Sequence, residues 1–292
     1  MENIFINGYH KRVVATGSVL CPKIVLPEHV PFGYKYPKAG NYLQSVKDYL
    51  CDLIDSISEM VPAVEFQRAS YSILGKKGEA LLRQLIDRAQ RRHLCTILDV
   101  NFLSNTGTRE SVEKVFDTYG VDACTFAYTP DFSCCKEWLE RGHMPIFTGP
   151  KTNLDQESDG LEVCQYVADM ARRWNAEVVE IHEFAGIGCL VKAKEAARCR
   201  RVAGDEVFFL ISLPDGSRDF KADEFIDGLM DSCQHPMGAV NNLDITLSWW
   251  DEKKKKPREG KTLDLVKTAV HSANVNLNAA IERKFGKQQK EG

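Results

Sequence analysis

Short, mostly apolar runs alternate along this chain with longer segments whose apolar side chains recur every three or four positions. The first rhythm belongs to buried strands and the second to helices with one face turned to a core. Strands are expected over 18–21, 63–67, 94–98, 122–128, 144–148, 177–181, 206–211 and 237–241. Helices are expected over 4–15, 41–60, 77–92, 110–119, 134–141, 160–174, 185–201, 225–232 and 263–285. Within 41–60, Tyr42, Val46, Tyr49, Leu50, Leu53 and Ile54 share a face, and within 77–92 Leu81, Leu82, Leu85, Ile86 and Ala89 do the same. Strands separated by helices imply parallel pairing, because each crossover between parallel neighbours needs such a connection. The fold class expected is α/β, a single (β/α)8 TIM-type barrel spanning 1–292. Pro22, Pro27, Pro31 and Pro37 make 22–40 a long loop, and 251–261 reads as a basic loop before a C-terminal helix able to close the barrel.

Composition narrows this picture. With 292 residues and 43% apolar content the chain can bury one large core, and barrels commonly use about 250 residues as one domain. A formal charge of −3 gives no global field for nucleic acid or an anionic membrane. The run Lys253 to Lys256 is a local exception, and such a run usually marks a solvated loop. The ten cysteines sit at irregular spacings, most within apolar or helical segments, as reduced thiols do. The expected compartment is intracellular and reducing, cytoplasmic by default, with an organelle left open. Cys134 and Cys135 are adjacent and lack the spacing of a zinc site, so neither a metal nor a cofactor is expected. No apolar run at the N-terminus has the length of a signal peptide or a membrane span. Trp249 and Trp250, beside the lysine run, read either as an exposed contact patch or with one ring packed under the C-terminal helix.

Candidate chemistry centres on Asp99. The apolar run from Leu94 to Leu98 delivers this carboxylate at its C-terminal end, where α/β proteins carry their sites. It reads equally as an Asp that ends a strand and caps a turn. Glu65, on the second expected strand, reads by itself as a surface residue at a strand end. His182 and Glu183 follow the expected sixth strand, as candidate acid and base or as solvated residues.

Asp99 to Ser104, with Thr96 to Leu98 before it and Asn105 to Thr108 after it, resembles the Asp-x-Lys-x-x-Asp motif of orotidine 5′-monophosphate decarboxylases. The resemblance covers most of the chain and is strongest from Cys51 to Asn153. It makes Asp99 the retained motif residue, puts Asn101 where the family has its proton-donating Lys, and puts Ser104 where it has the second Asp, given from the other subunit of a dimer. Leu20 to Pro27 resembles the family's Leu-Cys-x-Gly-Leu-Asp-Pro, with Val25 in place of the Asp. Glu65 stands where the second strand presents a Lys among the acids of the site, which implies a second carboxylate near Asp99, so that one of the two carboxyl pKa values rises or the site rearranges. Gly149 to Asn153 resembles the segment reaching the pyrimidine, which makes Lys151, Thr152 and Asn153 candidate substrate contacts. The phosphate loops of the family would correspond to 212–218 and 241–245, where Asp215 is an added acid, Asp244 replaces an Arg, and Arg218 is the one compensating cation. A unit charge at about 4 Å and an effective dielectric of about 20 is worth roughly 4 kcal/mol, so exchanging Arg for Asp beside a phosphate reverses several kcal/mol.

The resemblance therefore implies a catalytically degenerate barrel acting as a binding or structural subunit of a larger assembly. An Asn cannot deliver the proton that a Lys supplies to the carbanion. The alternatives are an active carboxy-lyase making uridine 5′-monophosphate with an unorthodox site, or a barrel re-used for another substrate. Protein partners are expected, in a larger complex or a homodimer, with no membrane partner and no nucleic acid beyond the local lysine run.

Overall fold

The structure is a computed structural model that describes residues 4–31, 34, 42–100, 115–127, 135–148, 157–178, 186–214, 220–241, 243, 245–251 and 254–286. The chain opens with α1 (Ile4–Thr16) and β1 (Lys23–Ile24), then α2 (Tyr42–Ile57), β2 (Ala63–Gln67), a short α3 (Arg68–Ser72), α4 (Gly75–Arg91) and β3 (Cys95–Asp99). Next come α5 (115–119), β4 (Ala123–Ala127), α6 (Lys136–Glu140), β5 (Met144–Thr148), α7 (Glu157–Val178), β6 (Gly188–Lys192), α8 (Ala193–Ala203) and β7 (Phe208–Ser212). The last part holds α9 (Ile226–Leu229), β8 (Gly238–Asn241), the two-stranded ribbon β9 (Trp250–Asp251) and β10 (Lys256–Pro257), and α10 (Thr262–Phe285).

Strands β1 to β8 form one sheet in chain order, every pairing parallel. The sheet closes on itself through a parallel bridge between Leu20 and Val240, with Cys21 N donating to Val240 O at 2.8 Å and Lys23 N to Leu243 O at 3.0 Å. This is the expected (β/α)8 barrel. Alternation along each strand divides the core in two. Val64 and Phe66 pack outward with the helices, while Ala63, Cys95, Ile97, Ala123, Met144, Ile146, Phe208, Leu210 and Ala239 fill the barrel axis. Helix α1 seals the N-terminal end of that interior. Its Phe5 and Tyr9 meet Phe208 edge-on at 5.2 Å, and the Tyr9 hydroxyl donates to Gly238 O at 2.7 Å. With one end plugged by apolar side chains, polar residues inside the barrel are confined to the other end.

Helix α10 completes the outer ring against α2, and its asparagines hold the approach to β1. Asn274 Nδ2 donates to Met60 O and its Oδ1 accepts from Ser18, while Asn278 Nδ2 donates to Gly17 O. A two-residue strand has few ladder bonds of its own, so these side chains fix the segment that delivers Lys23.

The elements depart from the sequence reading in several places. The first strand is Lys23–Ile24 rather than 18–21, whose residues only lead into it through the Leu20 bridge. The sixth is Gly188–Lys192, because α7 continues through Val178 and takes up the start of the apolar run expected as a strand over 177–181. The helix expected over 225–232 shrinks to α9 and a preceding 3₁₀ turn, Ala222–Glu224, where Gly228 comes close enough to Ala196 of α8 that a Cβ would lie 2.5 Å from Ala196 Cβ. The basic loop over 251–261 contains the β9–β10 ribbon. Trp249 is not an exposed patch; it is buried, its indole N–H bonded to Thr246 O at 3.1 Å. The described part of the helix expected over 110–119 is 115–119.

Asn175 explains where β6 begins. Fully buried near the end of α7, it donates to Ile187 O and Glu206 O at 3.0 and 2.8 Å and accepts from the N–H groups of Gly186 and Ile187 at 3.1 and 2.9 Å. One carboxamide thus supplies four partners to the main chain entering β6 and β7. Asn175→Ala would orphan those buried groups, and a loss of about 2–4 kcal/mol is expected in urea denaturation.

Candidate functional site

At the C-terminal end of the barrel the inward-facing positions turn polar. Register places Lys23 of β1 beside Glu65 of β2, Gln67 beside Asp99 of β3, Asp99 beside Thr125 of β4, and Ser212 of β7 beside Asn241 of β8. Five of these side chains gather there, as one hydrogen-bonded pair and one trio around Asp99. Asn241 Nδ2 donates to Glu65 Oε2 at 2.7 Å, Lys23 Nζ lies 4.0 Å from Asp99 Oδ2, and Thr125 Oγ1 donates to Asp99 Oδ1 at 2.9 Å. Thr125 Oγ1 also accepts from Val100 N at 3.3 Å, which ties the hydroxyl to the turn leaving β3 and fixes its hydrogen toward the carboxylate.

Burial grades across this group. Glu65 is only 1% exposed, whereas the side chains of Lys23 and Asp99 are 15% and 14% exposed and reach the rim. The difference follows from depth: Glu65 is the middle residue of β2, and Asp99 is the last residue of β3. Burial pushes the Glu65 carboxyl up to about 7; Asp99 adds to this, and the Lys23 ammonium and the Asn241 hydrogen bond oppose it. A buried carboxyl in this range exchanges its proton near neutral pH, a property that perturbed groups in functional clefts share with some structural ones.

Of the residues singled out from sequence, the structure brings Glu65 and Asp99 to the same barrel end. Val25 follows β1 directly. Asn101, Ser104, Lys151, Thr152, Asn153, Asp215, Arg218 and Asp244 lie outside the described residues, as do His182 and Glu183. Chain order puts those last two in the connection leading into β6, not after it, so the reason for assigning them to the catalytic face is gone. Lys23, Thr125 and Asn241 are the members that the motif reading missed. Lys23 changes the charge balance, because the sequence reading placed no cation beside Asp99. The signal for it was available in part: once Cys21 faces the axis, alternation turns Lys23 the same way.

Other described features set limits. Among the described residues there is no group of three or more metal-ligating side chains, and no helix is long and apolar enough to cross a membrane. The nine described cysteines are free thiols.

No family model matches the chain. Over 212 residues it is 24% identical to the orotidine 5′-phosphate decarboxylase of Rhodopirellula baltica, which covers 65% of this chain and 70% of that protein. Its fold matches the crystal structure of Plasmodium berghei orotidine 5′-monophosphate decarboxylase with a TM-score of 0.69 at 13% identity, over 96% of this chain and 99% of the other. It matches Leishmania donovani UMP synthase with a TM-score of 0.67 at 15% identity, over 93% of this chain and only 56% of that longer one.

The electrostatics of the site give a direct test. Since Lys23 favours the charged form of Glu65 and Asp99 disfavours it, Lys23→Met should move the Glu65 carboxyl titration upward from about 7, and Asp99→Asn should move it downward. Carbon-13 NMR of labelled glutamate carboxyls reads both shifts, and equal midpoints in all three proteins would show that the cluster is not coupled.

Proposed function

We propose that this barrel, which its curated relative and its fold together support as a member of the orotidine 5′-phosphate decarboxylase family, does not decarboxylate orotidine 5′-monophosphate and serves as a binding or structural unit. The observation that carries the reading is Glu65. The resemblance gives that position a Lys, and here a carboxyl group occupies it inside the barrel, hydrogen-bonded to Asn241 and coupled to Asp99. Within the described cluster one ammonium faces two carboxyl groups. The cluster is neutral when Glu65 holds a proton and carries one negative charge when it does not. A substrate bearing a phosphate and a carboxylate needs the opposite excess, and one misplaced charge at about 4 Å is worth roughly 4 kcal/mol at an effective dielectric of about 20. The substitutions at Asn101, Ser104 and Asp244 point the same way.

One observation favours a second reading, a decarboxylase with a rearranged site. Lys23 approaches Asp99 from β1, and an ammonium beside the retained carboxylate could protonate a carbanion in place of the Lys missing at Asn101. The two readings separate in one experiment. The purified chain is expected to show no conversion of orotidine 5′-monophosphate to the uridine product and no thermal stabilisation by either nucleotide at millimolar concentration. Asn101→Lys alone should not restore turnover, since Glu65 remains. Conversion by the unmodified chain that disappears in both Lys23→Ala and Asp99→Ala would establish the second reading instead.

A further inference from the structure

Glu65 and Asn241 meet across the barrel interior with half of their hydrogen-bonding capacity unused. Asn241 Nδ2 donates to Glu65 Oε2 at 2.7 Å, yet Glu65 Oε1 and Asn241 Oδ1 are both buried and have no partner. If the carboxyl is ionised, both orphans are acceptors and neither can satisfy the other. Leaving two such atoms dry is costly. A single proton on Oε1 resolves both at once, because it turns one orphan into the donor that the other lacks.

We propose that Glu65 is protonated in the folded barrel and that it forms with Asn241 a reciprocal two-hydrogen-bond pair of carboxylic acid and carboxamide, a proton-dependent clasp between β2 and β8. Its place in the fold gives it a task. β1 lies between these two strands, is two residues long, and completes the closure of the sheet. The clasp passes over the interior side of β1 and joins its two neighbours, so the barrel is fastened at its weakest seam by side chains as well as by the ladder. The groups facing Glu65 are Lys23 and Cys21 from the β1 segment, Asp99 from β3 and the uncharged Asn241 from β8. Cys21 stays a neutral thiol because burial raises its pKa well above the usual range. Lys23 and Asp99 oppose each other, which leaves burial as the largest influence on the carboxyl. The clasp does not depend on whether the barrel turns over a nucleotide.

The direction of its pH dependence follows from linkage. The folded pKa of about 7 lies above the ordinary carboxyl value of 4.5, so the folded state holds the proton more tightly than the unfolded chain. The contribution is complete below about pH 4.5 and is lost as pH rises through about 7, with the folding equilibrium constant falling by up to about tenfold per pH unit in between. Chemical denaturation of the full chain from pH 5 to 8 tests this against Glu65→Gln, whose amide N–H stands in permanently for the acid proton. The wild type should show the decline between pH 5 and 7, and the Gln variant should lack that component. Carbon-13 titration of the Glu65 carboxyl in the wild type should give a midpoint near 7 and decides the matter alone if the variant does not fold. Equal slopes in the two proteins, or a Glu65 midpoint in the ordinary carboxylate range, would overturn the proposal.

Discussion

A carboxyl group enclosed inside the barrel is the constraint around which the C-terminal end of this structure is arranged. Burial in a low-dielectric interior makes an isolated carboxylate expensive, and the chain responds with three neighbours that act differently. Asn241 supplies a hydrogen bond from β8, Lys23 supplies positive charge from β1, and Asp99 adds negative charge from β3. None of the three neutralises Glu65 alone. β1, β2 and β3 are neighbours in the sheet, and closure of the barrel brings β8 and its Asn241 beside them, so the site is a product of topology before it is a product of any motif.

Closure in turn depends on packing at the opposite end. α1 fills the N-terminal mouth with Phe5, Ile6 and Tyr9, and the axis above them is apolar up to the level of Ile97, Ile146 and Leu210. That layering leaves one end where Lys23, Glu65, Asp99, Thr125 and Asn241 gather. The asparagines of α10 reach Gly17, Ser18 and Met60, so the helix farthest along the chain helps to position the cation at its beginning. Substitutions on α10 should therefore be read for effects at Lys23 as well as on stability.

Much of this architecture was legible in the residues themselves. The strands β2 to β5 are short apolar runs bounded by strongly periodic helices, and the residues expected there pair as strands. The sixth strand was not legible. The apolar run beginning at Glu177 has strand-like composition, yet its first two residues belong to α7, and Asn175, which sets the start of β6, acts through main-chain groups that no periodicity reveals. Glu65 and Asp99 were found through a motif and its resemblance. Lys23 was overlooked because it follows Pro22 in a segment that reads as loop, and because its nearness to Asp99 depends on the register of three strands. Asn241 was visible only as the end of a strand and the start of a loop, since its partner lies 176 positions away. Composition and spacing speak to local structure, whereas charge balance inside a barrel is a property of strand register.

The family likeness and the site chemistry pull in different directions, and Glu65 is where they part. The fold is that of orotidine 5′-monophosphate decarboxylases, while the second strand carries an acid where the resemblance has a base. A neutral, internally paired Glu65 reconciles the two, because it lets the barrel keep its closure without the cation. A neutron diffraction structure of the deuterium-exchanged protein near pH 6 would test this most directly. The account predicts a deuteron on Glu65 Oε1 directed at Asn241 Oδ1, with the Lys23 ammonium remaining on the Asp99 side. A bare Glu65 carboxylate contacted by the Lys23 ammonium would contradict it.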